Sequence, residues 1–199
     1  MLARSDDAQH RLYGRRKRAL FDQIEGHDGG PPVVVEIGAG TGLNARYLPA
    51  GATWIVVEPN VHFHDRVRAE AEAHGLVADV RAGTSERLPV EDGEADAVVS
   101  TLVLCSVGDV RQSLAEARRV LRAGGRFVFV EHVAAPDGTA LRRTQRLLRR
   151  PWGWVADGCR PDQETAPFIE AAGFSDVRIE RFDTGLGLVG PHIAGVATR

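Results

Sequence analysis

The 199-residue sequence predicts an α/β fold: a doubly wound, mostly parallel seven-stranded sheet with an antiparallel edge hairpin. Three observations carry this. Short apolar runs alternate with helical stretches, the pattern of a parallel sheet covered on both faces. The early runs are almost continuously apolar, as strands buried on both faces must be. The last two runs are joined by a short loop, DTGLGLVG (183–190), with no room for a crossover helix.

The elements follow in order. Residues 8–24 read as a helix with Leu12, Ala19, Leu20 and Ile24 on one face, and GHDGGPP (26–32) breaks the chain after it. VVVEI (33–37) is the first strand, and a helix begins near Thr41 after a glycine loop. TWIVVE (53–58) is the second strand, 60–74 a helix, LVADVRA (76–82) the third strand, and 95–104 contains the fourth. Asp109 caps a helix through Leu121 with Val110, Leu114, Ala117 and Leu121 inside, ended by Gly124 and Gly125. GRFVFVEHV (125–133) is the fifth strand, 161–174 a last helix stopped by Gly173, and 175–182 and 192–198 the closing hairpin. Residues 1–199 thus form one domain, with residues 1–30 as a helical cap. Residues 136–160 interrupt the alternation as a helical insertion. Its arginines between 142 and 150 form a solvated face, and Leu141, Leu147, Leu148, Trp152 and Trp154 offer an apolar lid.

The net charge of −2 gives no reason to expect nucleic acid as a partner. Two cysteines, Cys105 and Cys159, cannot build a disulfide framework or a four-cysteine zinc site, so the expected compartment is reducing. No apolar run approaches the roughly 18 residues of a membrane helix, and the N-terminus has no signal-peptide core. A cytoplasmic protein without stable membrane insertion is expected; no oligomeric state is assigned.

The stretch VVVEIGAGTGLN (33–44) carries the chemistry. Gly38, Gly40 and Gly42 let the backbone turn sharply beside a ligand. A dinucleotide fingerprint would read G-x-G-x-x-G, whereas here the order is G-x-G-x-G with Leu43 in the last glycine's place. Glu36, inside the strand before the loop, would repel a pyrophosphate and suits an ammonium. Glu58, twenty positions after Gly38, ends the second strand and can accept both hydroxyls of a ribose. The pocket wants a nucleoside with a cationic tail. A nicotinamide oxidoreductase would need a phosphate site that this spacing does not provide.

That combination resembles the class I S-adenosylmethionine methyltransferases. VEIGAGTG matches their glycine motif and VVEPN their acidic position, TSERLPVEDGEADAVVSTLVL (84–104) their next two motifs, and EARRVLRAGGRFVFVEH (116–132) the helix, turn and strand that follow. The resemblance implies S-adenosylmethionine as cofactor and S-adenosylhomocysteine as product. It places Gly38, Gly40 and Gly42 at the methionine part, Glu36 at its amino group, partly through water, and Glu58 at the ribose, with Ala39, Asn44 and Pro59 among the cofactor-binding residues. It places Thr84, Ser85 and Glu86 near the adenine, with Thr101 and Leu102 on the adjoining loop. Thr84 stands where the family usually has an acid, so Glu86 or the backbone of Thr84 and Ser85 takes that contact.

TLVLCSV (101–107), EHVA (131–134), DGC (157–159) and GPHIAG (190–195) resemble one subgroup, the methyltransferase-like-seven proteins that methylate alkyl thiols. YGRRKRALFDQI (13–24) and GLNARYLPAG (42–51) fit as well. Those animal proteins carry an N-terminal membrane anchor, whereas this chain begins with a polar tail and is expected to be a soluble relative. The implied acceptor is a small, fairly apolar nucleophile, with thiol favoured. Oxygen, nitrogen or carbon acceptors, among them quinones and lipid amines, are the alternatives, and a non-catalytic binding protein is the rival class.

The acceptor needs alignment and, for a thiol, ionisation. His132, at the pocket end of the fifth strand, His192 and Asp157 are the candidate catalytic residues. Tyr13 is expected to fold over the cofactor. Cys105 and Cys159 either line the acceptor pocket or are small buried apolar groups. His62 and His64 alternate like metal ligands, but on a helix they diverge, and no acidic cluster would hold magnesium. No metal ligands are expected.

Overall fold

The computed structural model describes residues 2–199, residues 2–6 by backbone alone. Seven strands form one sheet in the order β3-β2-β1-β4-β5-β7-β6. They are β1 (Val33–Ile37), β2 (Thr53–Val57), β3 (Val77–Arg81), β4 (Ala95–Thr101), β5 (Leu121–His132), β6 (Asp176–Asp183) and β7 (Pro191–Thr198). β1 to β5 run parallel, and β7 pairs antiparallel with both β5 and β6. Five helices accompany them: α1 (Leu2–Phe21), α2 (His64–Ala73), α3 (Val110–Val120), α4 (Ala140–Val155) and α5 (Thr165–Glu170).

The period-two alternation of the strands divides the core. Val35, Ile37, Ile55 and Val98 face α3 and α5, meeting Leu114, Val120 and Ile169. Val34, Trp54, Val56 and Ala97 face α1 and α2, meeting Phe21, Val67 and Ala71. Glu36 shares the parity of Val34, so its carboxylate points into the α1 layer. Strand order reverses between β1 and β4, which opens a crevice at their carboxyl ends. β3 and β6 are the sheet's edges, and the charged residues Asp176, Arg178, Glu180 and Arg181 of β6 discourage further pairing there.

Several expectations change in detail. No α-helix starts near Thr41: Gly40 (φ +54°) and Gly42 (φ +82°) are left-handed, and consecutive turns lead to a short 3-10 turn at Ala45–Tyr47. The first helix ends at Phe21, and its buried stripe is Tyr13, Lys17 and Phe21, while Ala19 is exposed. The stretch 60–74 opens as a 3-10 turn, Val61–Phe63, before α2. Asp109 does cap α3, accepting from the backbone N–H groups of Arg111 and Gln112 at 2.9 and 3.1 Å. That helix stops at Val120, and Gly124 and Gly125 lie within β5 instead of ending it. The helix expected over 161–174 is confined to the six residues of α5. α4 is not solvated along all its arginines. Arg142 is buried, donating to the Asp162 carbonyl (2.9 Å) and pairing with Glu164 (3.0 Å) and Asp137 (3.3 Å). Leu147 and Trp154, expected in a lid, are exposed, whereas Trp152 turns inward.

Candidate active site

Two of the cavities at the carboxyl edge of the sheet adjoin one another. The first, of about 400 Å³, is walled by Gly38, Gly40, Glu58, Pro59, Phe63, the loop Thr84–Glu86 and Val103. The second, of about 510 Å³, lies between α1, the loop after β4 and the end of α4. Leu12, Tyr13, Trp152, Leu186 and Val189 give it apolar walls, and Cys105, His132, Cys159 and His192 line it too. Leu102, Ser106 and Asp157 border both cavities, so the two meet there. Two of these three hold left-handed backbone without being glycine: Leu102 (φ +59°) and Asp157 (φ +48°). Strain of this kind collects where the fold must aim a functional segment.

The glycine turn is built from both sides. Gly38 presses on Val103, where a Cβ would come within 2.9 Å of a methyl. Gly42 packs on Val67 and Glu70 of α2 and faces away from the cleft. A Cβ on Gly40 would meet no protein atom within 4 Å; it would enter the open cleft. The Glu58 carboxylate accepts the Gly40 N–H and the Asn60 N–H, both at 2.9 Å. A carboxylate has about four acceptor sites, so two remain for a ligand. These features fit a nucleoside with ribose hydroxyls against Glu58 and its chain running past Gly40. Glu86 accepts the N–H groups of Gly108 (2.8 Å) and Asp109 (3.3 Å). Those and other backbone bonds overcome burial and lower its pKa. The Thr84–Glu86 loop is thereby tied to the start of α3, with Ser85 bonded to Ser113 at 2.8 Å.

Glu36 lies behind the turn. Its oxygens accept from Asn44 Nδ2 (2.8 Å) and Trp54 Nε1 (2.9 Å). Asn44 also accepts from Lys17 Nζ (2.8 Å) and donates to Thr101 (3.1 Å). Burial raises Glu36 to about 7 and lowers Lys17 to about 8. Glu36, Ala39, Gly42, Asn44 and Thr101 therefore do not wall the cleft; Glu36, Asn44 and Thr101 form a buried polar network beneath it. The cation acting on Glu36 is this chain's own Lys17, part of the RRKR run (15–18) that reads in the sequence as a solvated helix face.

Glu131 went unnoticed in the sequence. It is fully buried, raised to about 7 by that burial, and accepts from Ser100 (2.7 Å), the Val103 N–H (2.9 Å) and the Leu104 N–H (3.1 Å). It pins the loop that carries Leu102 and Cys105.

Of the candidate catalytic residues, His192 has both ring nitrogens engaged. Its Nδ1–H donates to the Gly190 carbonyl (2.8 Å), so Nε2 accepts the Tyr13 hydroxyl (2.9 Å). Burial pushes Tyr13 up to about 12 and His192 downward. Tyr13 thus folds over the second cavity and not over the cleft. His132 Nε2 lies 3.0 Å from Cys159 Sγ, and its buried Nδ1 has no partner. Cys159 also accepts from Trp152 Nε1 at 3.3 Å. The neighbouring Cys105 thiol, then His132, holds Cys159 down at about 4, and the same pairing pushes Cys105 far up, while Cys105 Sγ donates to the Leu102 carbonyl at 3.8 Å. The Cys105 carbonyl accepts the Arg160 N–H at 2.9 Å, which brings the two cysteines face to face. His62 and His64 do not act together: His64 bonds the Glu58 carbonyl (2.9 Å), and His62 lies exposed in the 3-10 turn.

Residues 35–129 match the methyltransferase domain family. With this sheet order and cleft, the protein is an S-adenosylmethionine-dependent methyltransferase. Solved relatives share the fold. A possible histamine N-methyltransferase from Thermotoga maritima superposes with TM-score 0.66 at 21% identity over 95% of this chain and 90% of that one. A geranyl diphosphate methyltransferase in complex with SAM gives 0.70 at 16% identity over 96% and 86%. Much nearer in sequence is thiol S-methyltransferase TMT1B of Homo sapiens, 40% identical over 92% of this chain and 78% of that protein. Thiol S-methyltransferase TMT1A of Homo sapiens is 37% identical over the same shares. The chain belongs to this thiol S-methyltransferase family. No helix among the described residues is long and apolar enough to cross a membrane.

Proposed function

We propose that this methyltransferase acts on small thiols with an apolar substituent. The observation that carries the reading is the meeting of two cavities at Leu102, Ser106 and Asp157, the second apolar and backed by Cys105, His132 and Cys159. Its volume of about 510 Å³ suits a small molecule. Kinship at 40% identity with a protein named for thiol methylation supports the acceptor's chemistry.

Bound S-adenosylmethionine supplies a methyl group already activated by its sulfonium. The protein's work is positioning. Glu58 and Pro59 hold the ribose, the Thr84–Glu86 loop the adenine, and the turn through Gly38 and Gly40 the methionine part, with Glu36 acting through the turn or through water. Leu102 and Asp157 stand where the two cavities meet, and the Asp157 carboxylate would favour a positive sulfonium there. A free thiol of pKa near 8.5 is only a few per cent ionised at neutral pH, so the acceptor gains from assisted ionisation. His132 is the residue for that task, because it lines the acceptor cavity with its Nε2 set 3.0 Å from the Cys159 sulfur. His192 keeps the wall in place through Tyr13. The whole chain acts as one domain, with α1 and the 136–160 segment walling the acceptor, and it works in a reducing, cytoplasmic setting.

The test is S-adenosylhomocysteine formation against an alkyl thiol, hydrogen sulfide, an aryl thiol, a phenol, a quinol and an amine. Turnover confined to thiols is expected. Turnover only on an oxygen, nitrogen or carbon acceptor would overturn the acceptor assignment.

A further inference from the structure

We infer that Cys105, His132 and Cys159 form a binding site for a thiolate-preferring metal ion, zinc by its chemistry, whose open coordination position takes the sulfur of the acceptor thiol. The inference rests on the thiol reading above and gives the assisted ionisation a physical agent.

Three donors arrive from three separate elements. Cys105 sits in the loop after β4, His132 is the last residue of β5, and Cys159 closes the turn after α4. Their donor atoms all lie within 4.8 Å of one another, and Nε2 of His132 and Sγ of Cys159 are 3.0 Å apart. Tetrahedral zinc, with Zn–S near 2.3 Å and Zn–N near 2.0–2.1 Å, separates its ligand atoms by roughly 3.5–3.8 Å. Adjustments of about an ångström in side chains reach that geometry. Trp152 Nε1–H already points at Cys159 Sγ (3.3 Å), a donor placed as the outer hydrogen bond of a coordinated thiolate. All three donors also line the acceptor cavity, so a fourth position faces the substrate. Three protein ligands, two Cys and one His, with one exchangeable position is the pattern of a catalytic rather than a structural zinc. Two thiols and an imidazole alone would do the opposite of what the reaction needs, since sulfur lone pairs repel an incoming thiolate. A divalent cation between them reverses that field.

The chemistry balances. The acceptor R–SH binds through sulfur, and its proton passes to solvent water, because a coordinated thiol is deprotonated. The sulfur then attacks the methyl group. A new S–CH₃ bond forms as the methyl–sulfonium bond breaks, and that bond's electron pair stays on the sulfur of S-adenosylhomocysteine. The metal keeps its oxidation state. The product is a neutral thioether, a weak ligand that leaves.

The experiment uses the whole chain, kept reduced with a phosphine and stripped with a chelator. Dialysis against zinc should load one ion per chain by elemental analysis. Cobalt substitution should give tetrahedral visible bands and a thiolate-to-cobalt charge-transfer band, which adding an alkyl thiol shifts. Cys105→Ser, Cys159→Ser and His132→Gln should each lower metal affinity at least tenfold, with binding of S-adenosylhomocysteine unchanged within about twofold. Thiol turnover should fall at least tenfold on stripping and return with zinc. If a variant does not fold, the cobalt spectrum of the unaltered chain still decides. Substoichiometric metal, a cobalt spectrum without sulfur ligation, or full thiol turnover by metal-free protein overturns the site and leaves the thiol reading standing. A two-sulfur cobalt spectrum with no thiol methylated supports the site and removes only the acceptor assignment.

Discussion

Replacing Glu58 with Gln keeps the side chain's size and removes its charge. In the native cleft the carboxylate already accepts two backbone N–H groups, from Gly40 and Asn60, each at 2.9 Å. The remaining two acceptor sites face the cleft, where the ribose hydroxyls are assigned. The amide of Gln has one oxygen. It can keep one backbone donor, while its NH₂ group meets the other. A hydrogen bond to a charged group contributes about 1.5–3 kcal/mol, so Glu58→Gln should weaken S-adenosylhomocysteine by roughly 10- to 150-fold. Part of any loss comes from the disturbed turn, and an analogue separates the two. Titration calorimetry with S-adenosylhomocysteine and its 2′,3′-dideoxy form, on native protein and variant, makes a double-mutant cycle. The dideoxy penalty should be large for the native protein and nearly absent for Glu58→Gln. An equal penalty in both proteins would refute the ribose assignment whatever the variant's affinity.

Gly40→Val should fold yet weaken S-adenosylhomocysteine more than 100-fold by calorimetry, because the added side chain enters the open cleft at φ +54°; Gly29→Val, equally left-handed but exposed at φ +75°, should leave binding unchanged. Glu36 is raised from 4.5 to about 7, so its contribution is fully present below pH 4.5 and lost as pH rises through about 7. Urea unfolding of Glu36→Gln should therefore lack a decline of up to about 3 kcal/mol that the native protein shows across that window. Arg142→Leu should cost about 2–3 kcal/mol and lower Tm by about 4–12 °C in a thermal melt, while Arg149→Leu on the open face should stay within about 0.5 kcal/mol. Asp157→Gly relieves left-handed strain at φ +48° and should raise Tm slightly while lowering kcat for the thiol acceptor; unchanged kcat would make Asp157 a turn residue only.

The strand framework was legible because it depends on local pattern. VVVEI and TWIVVE are buried on both faces, and their apolar runs mark β1 and β2 to within a residue. Asp109 was legible as a cap because its side chain serves its own helix. The G-x-G-x-G pattern predicts a turn feeding a helix, and no α-helix follows it. Three left-handed glycines at alternate positions, Gly38, Gly40 and Gly42, stop helix formation, and Gly38 and Gly42 are held by tertiary contact with Val103 and Glu70. Lys17 and Arg142 looked like solvated charges because their partners lie far along the chain, at Asn44 and Glu164. The Cys105–His132–Cys159 cluster has no spacing signature either, since 27 residues separate each donor from the next. Only the crossover between β4, β5 and α4 brings them together.

The network under the cleft links α1 to the cofactor turn. Lys17 reaches Asn44 from α1, Asn44 reaches Glu36 and Thr101, and Trp54 closes the set. Four residues earlier on the same helix face, Tyr13 seals His192 at the acceptor wall. One helix therefore touches both halves of the site, and its seating must influence both. A buried charge pair costs desolvation and is a poor way to add stability, but it fixes which partner sits where. A Lys17→Met variant should on this logic separate two properties. Stability to urea should change little or fall, as Glu36 loses its cation, while affinity for S-adenosylhomocysteine and KM for the thiol should both worsen because α1 is no longer held in register with the turn. If only stability changed, α1 would be a lid in contact with the site and not part of its construction.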